Sequence, residues 1–157
     1  MKYKLANLNQ KQIRAAVIAR YVKNAGYRGV VAFSCGNATA ALREAGLWVL
    51  DISPDGMLAP TEKWWTPAEI HAAFPDLFDA TSGHLPMYLM IEIARELKST
   101  LGKLPEAEYE VPTGSGETIA CLRLAYPSIT FTPICGIGKG TEYDSRAPLN
   151  DATFATL

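Results

Sequence analysis

Residues 107–126 read AEYEVPTGSGETIACLRLAY. Ala107 to Val111 has the alternation of a strand, Gly114-Ser115-Gly116 interrupts it, and from Thr118 to about Tyr126 the apolar residues recur at helical spacing. SITFTPI, from Ser128, is a further strand. A strand that turns directly into a helix and then into a strand is the repeating unit of an α/β fold with parallel strands.

The same alternation extends towards the N-terminus. Residues 9–25, NQKQIRAAVIARYVKNA, carry Ile13, Ala16, Val17, Arg20 and Tyr21 at helical spacing, and Gly26 ends that helix. RGVVAFS, from Arg28, reads as a buried strand meeting the turn Ser34-Cys35-Gly36-Asn37, followed by a short helix from Ala38 to Ala45. LWVLDIS, from Leu47, is a second strand, and Pro54-Asp55-Gly56 is a turn. Thr66-Pro67-Ala68-Glu69 opens another helix, with Thr66 as N-cap, Pro at the first position and an acid in the first turn. Leu85 to Leu101 is the most periodic helix, and Gly102 stops it. The expectation is a three-layer α/β fold with a mostly parallel sheet, residues 1–157 forming one compact domain. Ligands of such folds lie at the carboxyl ends of the strands, so the 34–37 and 114–118 turns are expected to open on one sheet edge.

At 48% hydrophobic and 20% charged residues, the 157-residue chain has the composition of a globular domain with a real core. No apolar run approaches the ~18 residues of a membrane span, and no signal-peptide pattern follows Lys2 and Lys4. The expectation is a cytoplasmic protein, in the host cytoplasm if viral, with no membrane partner. Cys35, Cys121 and Cys135 are odd in number and lack CxxC spacing, which argues against a disulfide framework or a zinc site. His71 and His84 are far apart and read as surface or satisfied core histidines, so no metal is expected. Residues 1–43 hold eight Lys/Arg and no acid within a chain of net charge −1. That asymmetry fits either a solvated basic helix or a surface facing an anion.

Three places carry chemistry. In Gly114-Ser115-Gly116-Glu117-Thr118, the glycines let backbone approach an anion, and the new helix offers free N–H groups and a favourable dipole. Ser115 and Thr118 add hydroxyl donors, so the turn suits a phosphate monoester, although an ordinary strand-to-helix turn has the same outline. Neither the Walker A ending nor GxGxxG is present. Glu117 must point away from a bound phosphate or pair with a cation. In the second place, Gly36 permits an unusual backbone angle and Asn37 either projects over a ligand or caps its helix. The third is Lys11, an ordinary helical lysine but for its setting.

In that order and spacing, the three places resemble fold-type-II enzymes dependent on pyridoxal 5′-phosphate (PLP), the group of threonine synthase, cysteine synthase and the tryptophan synthase β chain. The 26-residue step from Lys11 to Asn37 is similar to the threonine-synthase-like pattern, in which a lysine precedes a helix, a strand and an S-S-G-N turn. DATSGHLPMYLMIEIARELKSTLGKLPEAEYEVPTGSGETIACLRLAYPSITFTPI has the layout of the later half of that family. The resemblance runs from about Asn7 to about Leu149. It implies that Lys11 forms the Schiff base and moves the α-proton, and that Asn37 hydrogen-bonds the PLP phenolic oxygen. It also implies that Ser34, Cys35 and Gly36 bind a substrate carboxylate and that Gly114, Ser115, Gly116, Glu117 and Thr118 hold the phosphate. Arg14, one turn from Lys11, is a neighbouring cation of the kind that lowers an amine's pKa.

The departures are specific. Asn9-Gln10-Lys11-Gln12-Ile13 stands where the family has S-F-K-D-R, and Glu117 where it has Gly. The segment about 47–80 reads as a contracted small domain. The Ser or Thr that contacts the pyridine nitrogen has no evident counterpart, leaving Cys135, Thr132, a partner subunit or nothing in that role.

The resemblance implies a PLP-dependent lyase, with decarboxylation among its reactions, acting at the α-carbon of an amino acid. A contracted small domain leaves the site open to an amino-acid group on a larger molecule. Compact proteins of this kind resemble those that bacteriophages use on aminoacyl-modified thymine in DNA, so DNA is a candidate substrate. The alternatives are a non-catalytic PLP- or phosphate-binding module of the same descent and a Rossmann-like nucleotide binder hinted at by CGIGKG at 135–140. A sheet edge left bare predicts a homodimer.

Overall fold

The computed structural model describes residues 2–5, 10–32, 37–52, 65–81, 84–113 and 117–135. Its elements, in order, are β1 (Lys2–Lys4), α1 (Gln10–Ala25), β2 (Gly29–Ala32), α2 (Asn37–Glu44), β3 (Val49–Asp51), α3 (Pro67–Ala73), β4 (Leu77–Asp79), α4 (Met87–Leu101), β5 (Glu108–Thr113), α5 (Glu117–Ala125) and β6 (Thr130–Cys135). Strands and helices alternate and every ladder is parallel, so the chain is α/β. The strands form two three-stranded sheets, β1-β5-β6 and β3-β2-β4, where one sheet was expected. The chain divides accordingly into two compact units, Lys11–Pro86 and the remainder.

Lys11–Pro86 is built round β2. Val31 pairs with Leu50 of β3 and Asp79 of β4, and Val30 with Val49 and Phe78. Side chains alternate between sheet faces, so these two sets point opposite ways. Val31 and Leu77 pack with Ile70 of α3, flanked by Leu50, Ile52, Trp65 and Phe74. On the other face Phe78 meets Tyr21 of α1 at 5.1 Å between ring centroids. Thr66 and Glu69 form the complete capping box at the start of α3, each side chain accepting from the other's backbone N–H at 3.1 Å.

In the remainder, the register partners Tyr3, Tyr109 and Phe131 line one sheet face, with ring centroids 5.4 Å and 5.9 Å apart. Such cross-strand aromatic pairs fix register as well as adding stability. Helix α4 buries Leu89, Met90, Ile93, Ala94 and Leu97, the stripe its periodicity predicts. Cys121 Sγ of α5 meets Met90 Sδ at 3.9 Å. Pro112 lies inside β5, where a proline cannot donate to the ladder. The β1 ladder ends at Lys4 and Glu110, so Pro112 falls beyond it, where the described pairing is with β6.

Helices α1, α2 and α4 are followed by Gly26, Gly46 and Gly102, all at positive φ, the left-handed C-terminal stop. No helix among the described residues is long and apolar enough to cross a membrane.

Candidate functional site

Helix α1 opens at Gln10, which places Lys11 in its first turn, half-buried. Arg14, one turn on, shares that side of the helix. It is 8% exposed, and its Nη2 donates to the carbonyl of Ala80 at 2.7 Å. That bond fastens the start of α1 to the chain leaving β4. The arginine expected to act as a cation beside Lys11 therefore has a positioning role as well. Asn37 is the first residue of α2, so it lies within the helix and does not precede it as an N-cap. Ser34, Cys35 and Gly36 lie outside the described residues.

Gly114, Ser115 and Gly116 also lie outside them; the frame on either side is described. Strand β5 ends at Thr113 and the nine-residue α5 begins at Glu117, one residue earlier than expected. Thr118 is half-buried in the first turn. Glu117 is 6% exposed and is engaged within the protein. A carboxylate in that first turn is stabilised by the helix dipole, which accounts for an acid at this position.

The two turns do not share a sheet. Strand β2, which precedes residues 33–36, belongs to the β3-β2-β4 sheet, and β5, which precedes residues 114–116, to the β1-β5-β6 sheet. The expectation that one sheet edge gathers both rested on a single sheet and is corrected here. Helix α1 from Lys11 on, β2 and α2 belong to Lys11–Pro86, and residues 114–118 to the remainder.

Sequence reasoning missed a cluster at the carboxyl end of β4. Asp79 is the last residue of that strand, which was not foreseen. Its Oδ1 accepts from Thr81 N–H at 3.0 Å and from the Thr81 hydroxyl, and its Oδ2 lies 2.8 Å from His84 Nδ1. The Thr81 oxygen also reaches His84 Nδ1. The Thr81 hydroxyl has one proton, and it goes to Asp79. An ionised carboxylate only accepts, so the Nδ1 proton of His84 lies towards Asp79 and Thr81. In the neutral ring the lone pair is then on Nε2. The His84 side chain is 10% exposed and that of Asp79 is 17%. His84 is thus a satisfied histidine, as expected, but one held by an acid in a single tautomer. The signal lay in D-A-T-S-G-H at 79–84, an acid, a hydroxyl and an imidazole within six residues.

At the carboxyl end of β3, Asp51 Oδ2 accepts from Arg43 Nη2 of α2 at 3.0 Å. Among the described residues, the buried Asp51 Oδ1 has no hydrogen-bond partner. Among the described residues no group of three or more His, Cys, Asp and Glu comes together as a metal site. Compared with protein-family models, curated proteins and solved structures, the chain matches none.

Proposed function

We propose that the chain binds PLP and acts as a lyase, decarboxylation included, on an amino acid or an amino-acid group carried by a larger molecule. What supports this reading is the order of elements around the motifs. Lys11 is in the first turn of α1, Asn37 in the first turn of α2 after β2, and Glu117 and Thr118 in the first turn of α5 after β5. A parallel strand leading through a short turn into a helix is the frame that presents free N–H groups to a phosphate. The residues fit the cofactor on that count, with Glu117 accommodated by its engagement within the protein.

When bound, PLP supplies an electron sink for bonds at the amino-acid α-carbon. The amine of Lys11 would hold its aldehyde, and Gly114, Ser115, Gly116, Glu117 and Thr118 would hold its phosphate. Asn37 would hydrogen-bond its phenolic oxygen, and Ser34, Cys35 and Gly36 would bind the substrate carboxylate. The test is an absorbance spectrum of the protein soaked in PLP, followed by borohydride reduction and peptide mapping. The expected result is a coloured protein with the reduced adduct on Lys11. A colourless protein, or an adduct confined to other lysines, overturns the reading.

The larger-molecule part of the proposal names aminoacyl-modified thymine in bacteriophage DNA. Its support is the basic run from Lys2 to Arg43, which suits a polyanion. Turnover of free serine and threonine with none of aminoacylated DNA would remove that part. A non-catalytic relative is the second reading, favoured by the buried Glu117 where the family has glycine. It requires PLP to bind without turnover of any amino-bearing substrate. The proposal also includes a homodimer, supported by the exposure of Trp48 and Ile91, and sedimentation velocity decides it.

A further inference from the structure

The β3-β2-β4 sheet has its first strand at the centre. The chain leaves β2, adds β3 on one side, and then crosses to add β4 on the other. Open parallel sheets bind ligands where the strand order reverses, outside the carboxyl ends of the two adjacent strands. Here those strands are β2 and β4. Asp79 ends β4, and Thr81 and His84 follow it in the chain. Arg14 brings the start of α1, with Lys11, to Ala80 at the same edge. Among the described residues, Asp51 Oδ1 at the end of β3 has no hydrogen-bond donor.

We propose that His84, its Nδ1 proton held by Asp79 and Thr81, takes a proton through Nε2 from the ammonium of an amino-acid-type ligand at this edge. The proposal rests on the PLP reading for its ligand and on the histidine's own geometry for its role. An amino acid arrives protonated at neutral pH, and its nitrogen becomes a nucleophile only after losing a proton. In the step, an N–H bond of the ammonium breaks and its electron pair stays on the nitrogen. A new N–H bond forms at Nε2. The positive charge passes to an imidazolium whose other nitrogen faces the Asp79 carboxylate at 2.8 Å. Described residues give Nε2 no hydrogen-bond partner, as a proton acceptor requires.

Two measurements test this. The first uses protein with 15N-labelled histidine and no cofactor. In the neutral form of the ring, His84 is expected to show a protonated Nδ1 and an unprotonated Nε2, a preference that Asp79→Asn weakens. The opposite tautomer overturns the proposal. The second follows, by absorbance, the rate at which serine displaces the lysine from PLP on the soaked protein. His84→Asn keeps a donor for Asp79 but has no Nε2, and is expected to slow displacement about a hundredfold, the range of a lost general base. Added imidazole should restore part of the rate, which a structural role would not allow. An unchanged rate in His84→Asn overturns the proposal, and Asp79→Asn, with a smaller loss, serves if that variant does not fold. Should the wild-type protein stay colourless, the proposed function fails while the tautomer still decides the Asp79–His84 pair.

Discussion

At residue 29 the sheet leaves no room for a side chain. A Cβ on Gly29 would stand 2.5 Å from the carbonyl oxygen of Trp48 and 3.0 Å from its ring. The oxygen belongs to the backbone and accepts from Val30 N–H at 2.9 Å, so it cannot swing aside without opening the β2–β3 ladder. Gly29→Ala is expected to cost about 1–3 kcal/mol, the range for overpacking a tight site, read as a lower urea midpoint at unchanged slope. Tyr126 makes a pH-dependent contribution on the same scale. Its hydroxyl donates to the Gly102 carbonyl, and burial pushes the phenol above its ordinary value of 10.0. The folded state therefore favours the neutral phenol more than the unfolded state does. That share of stability is complete below pH ~10 and is lost as pH climbs through the folded-state value. Tyr126→Phe should flatten the fall of stability between about pH 9 and pH 11, measured by urea titration; an unchanged slope against pH would show that the phenol is not responsible.

At the scale of the element, local chemistry was legible and pairing was not. Thr66, Pro67 and Glu69 announce α3, and Gly26, Gly46 and Gly102 end their helices, because caps and left-handed stops involve only neighbours in sequence. Thr66→Ala is expected to cost about 1 kcal/mol by removing an acceptor from the Glu69 N–H and half of the reciprocal pair. A thermal melt reads it, and Thr66→Ser should recover most of the loss. Strands β1 and β4 went unread because three residues are too few to show a period. The division into two sheets was illegible for a different reason. It depends on β1 pairing with β5, more than a hundred positions away, and nothing near Tyr3 records that choice. The Asp79–His84 pair was hidden by the same miss, since without β4 there is no strand end to bring the loop to an edge.

At the scale of the whole molecule, the PLP reading asks residues distant in sequence to serve one cofactor, and affinity can test that assignment with no assumption about reaction type. In that proposal Lys11 would deal with the aldehyde and residues 114–118 with the phosphate, so the two contributions would separate by ligand. Pyridoxal has the aldehyde without the phosphate. Glu117 puts a buried carboxylate in the first turn of α5, where it would compete with a bound phosphate for the same helix dipole. Glu117→Gln should tighten PLP binding several-fold, within the factor of ten that about 1.4 kcal/mol allows, and leave pyridoxal binding unchanged. Thr118→Ala should do the reverse for PLP, weakening it by about tenfold through loss of a hydrogen bond to a charged group, again without effect on pyridoxal. Lys11→Ala should abolish the covalent adduct with both ligands while a weaker, phosphate-dependent affinity for PLP survives. Absorbance and competition titrations give these constants. If Glu117→Gln and Thr118→Ala change PLP and pyridoxal equally, the turn is not where the phosphate binds, whatever Lys11 does, because a group that never meets the phosphate cannot distinguish two ligands that differ only there.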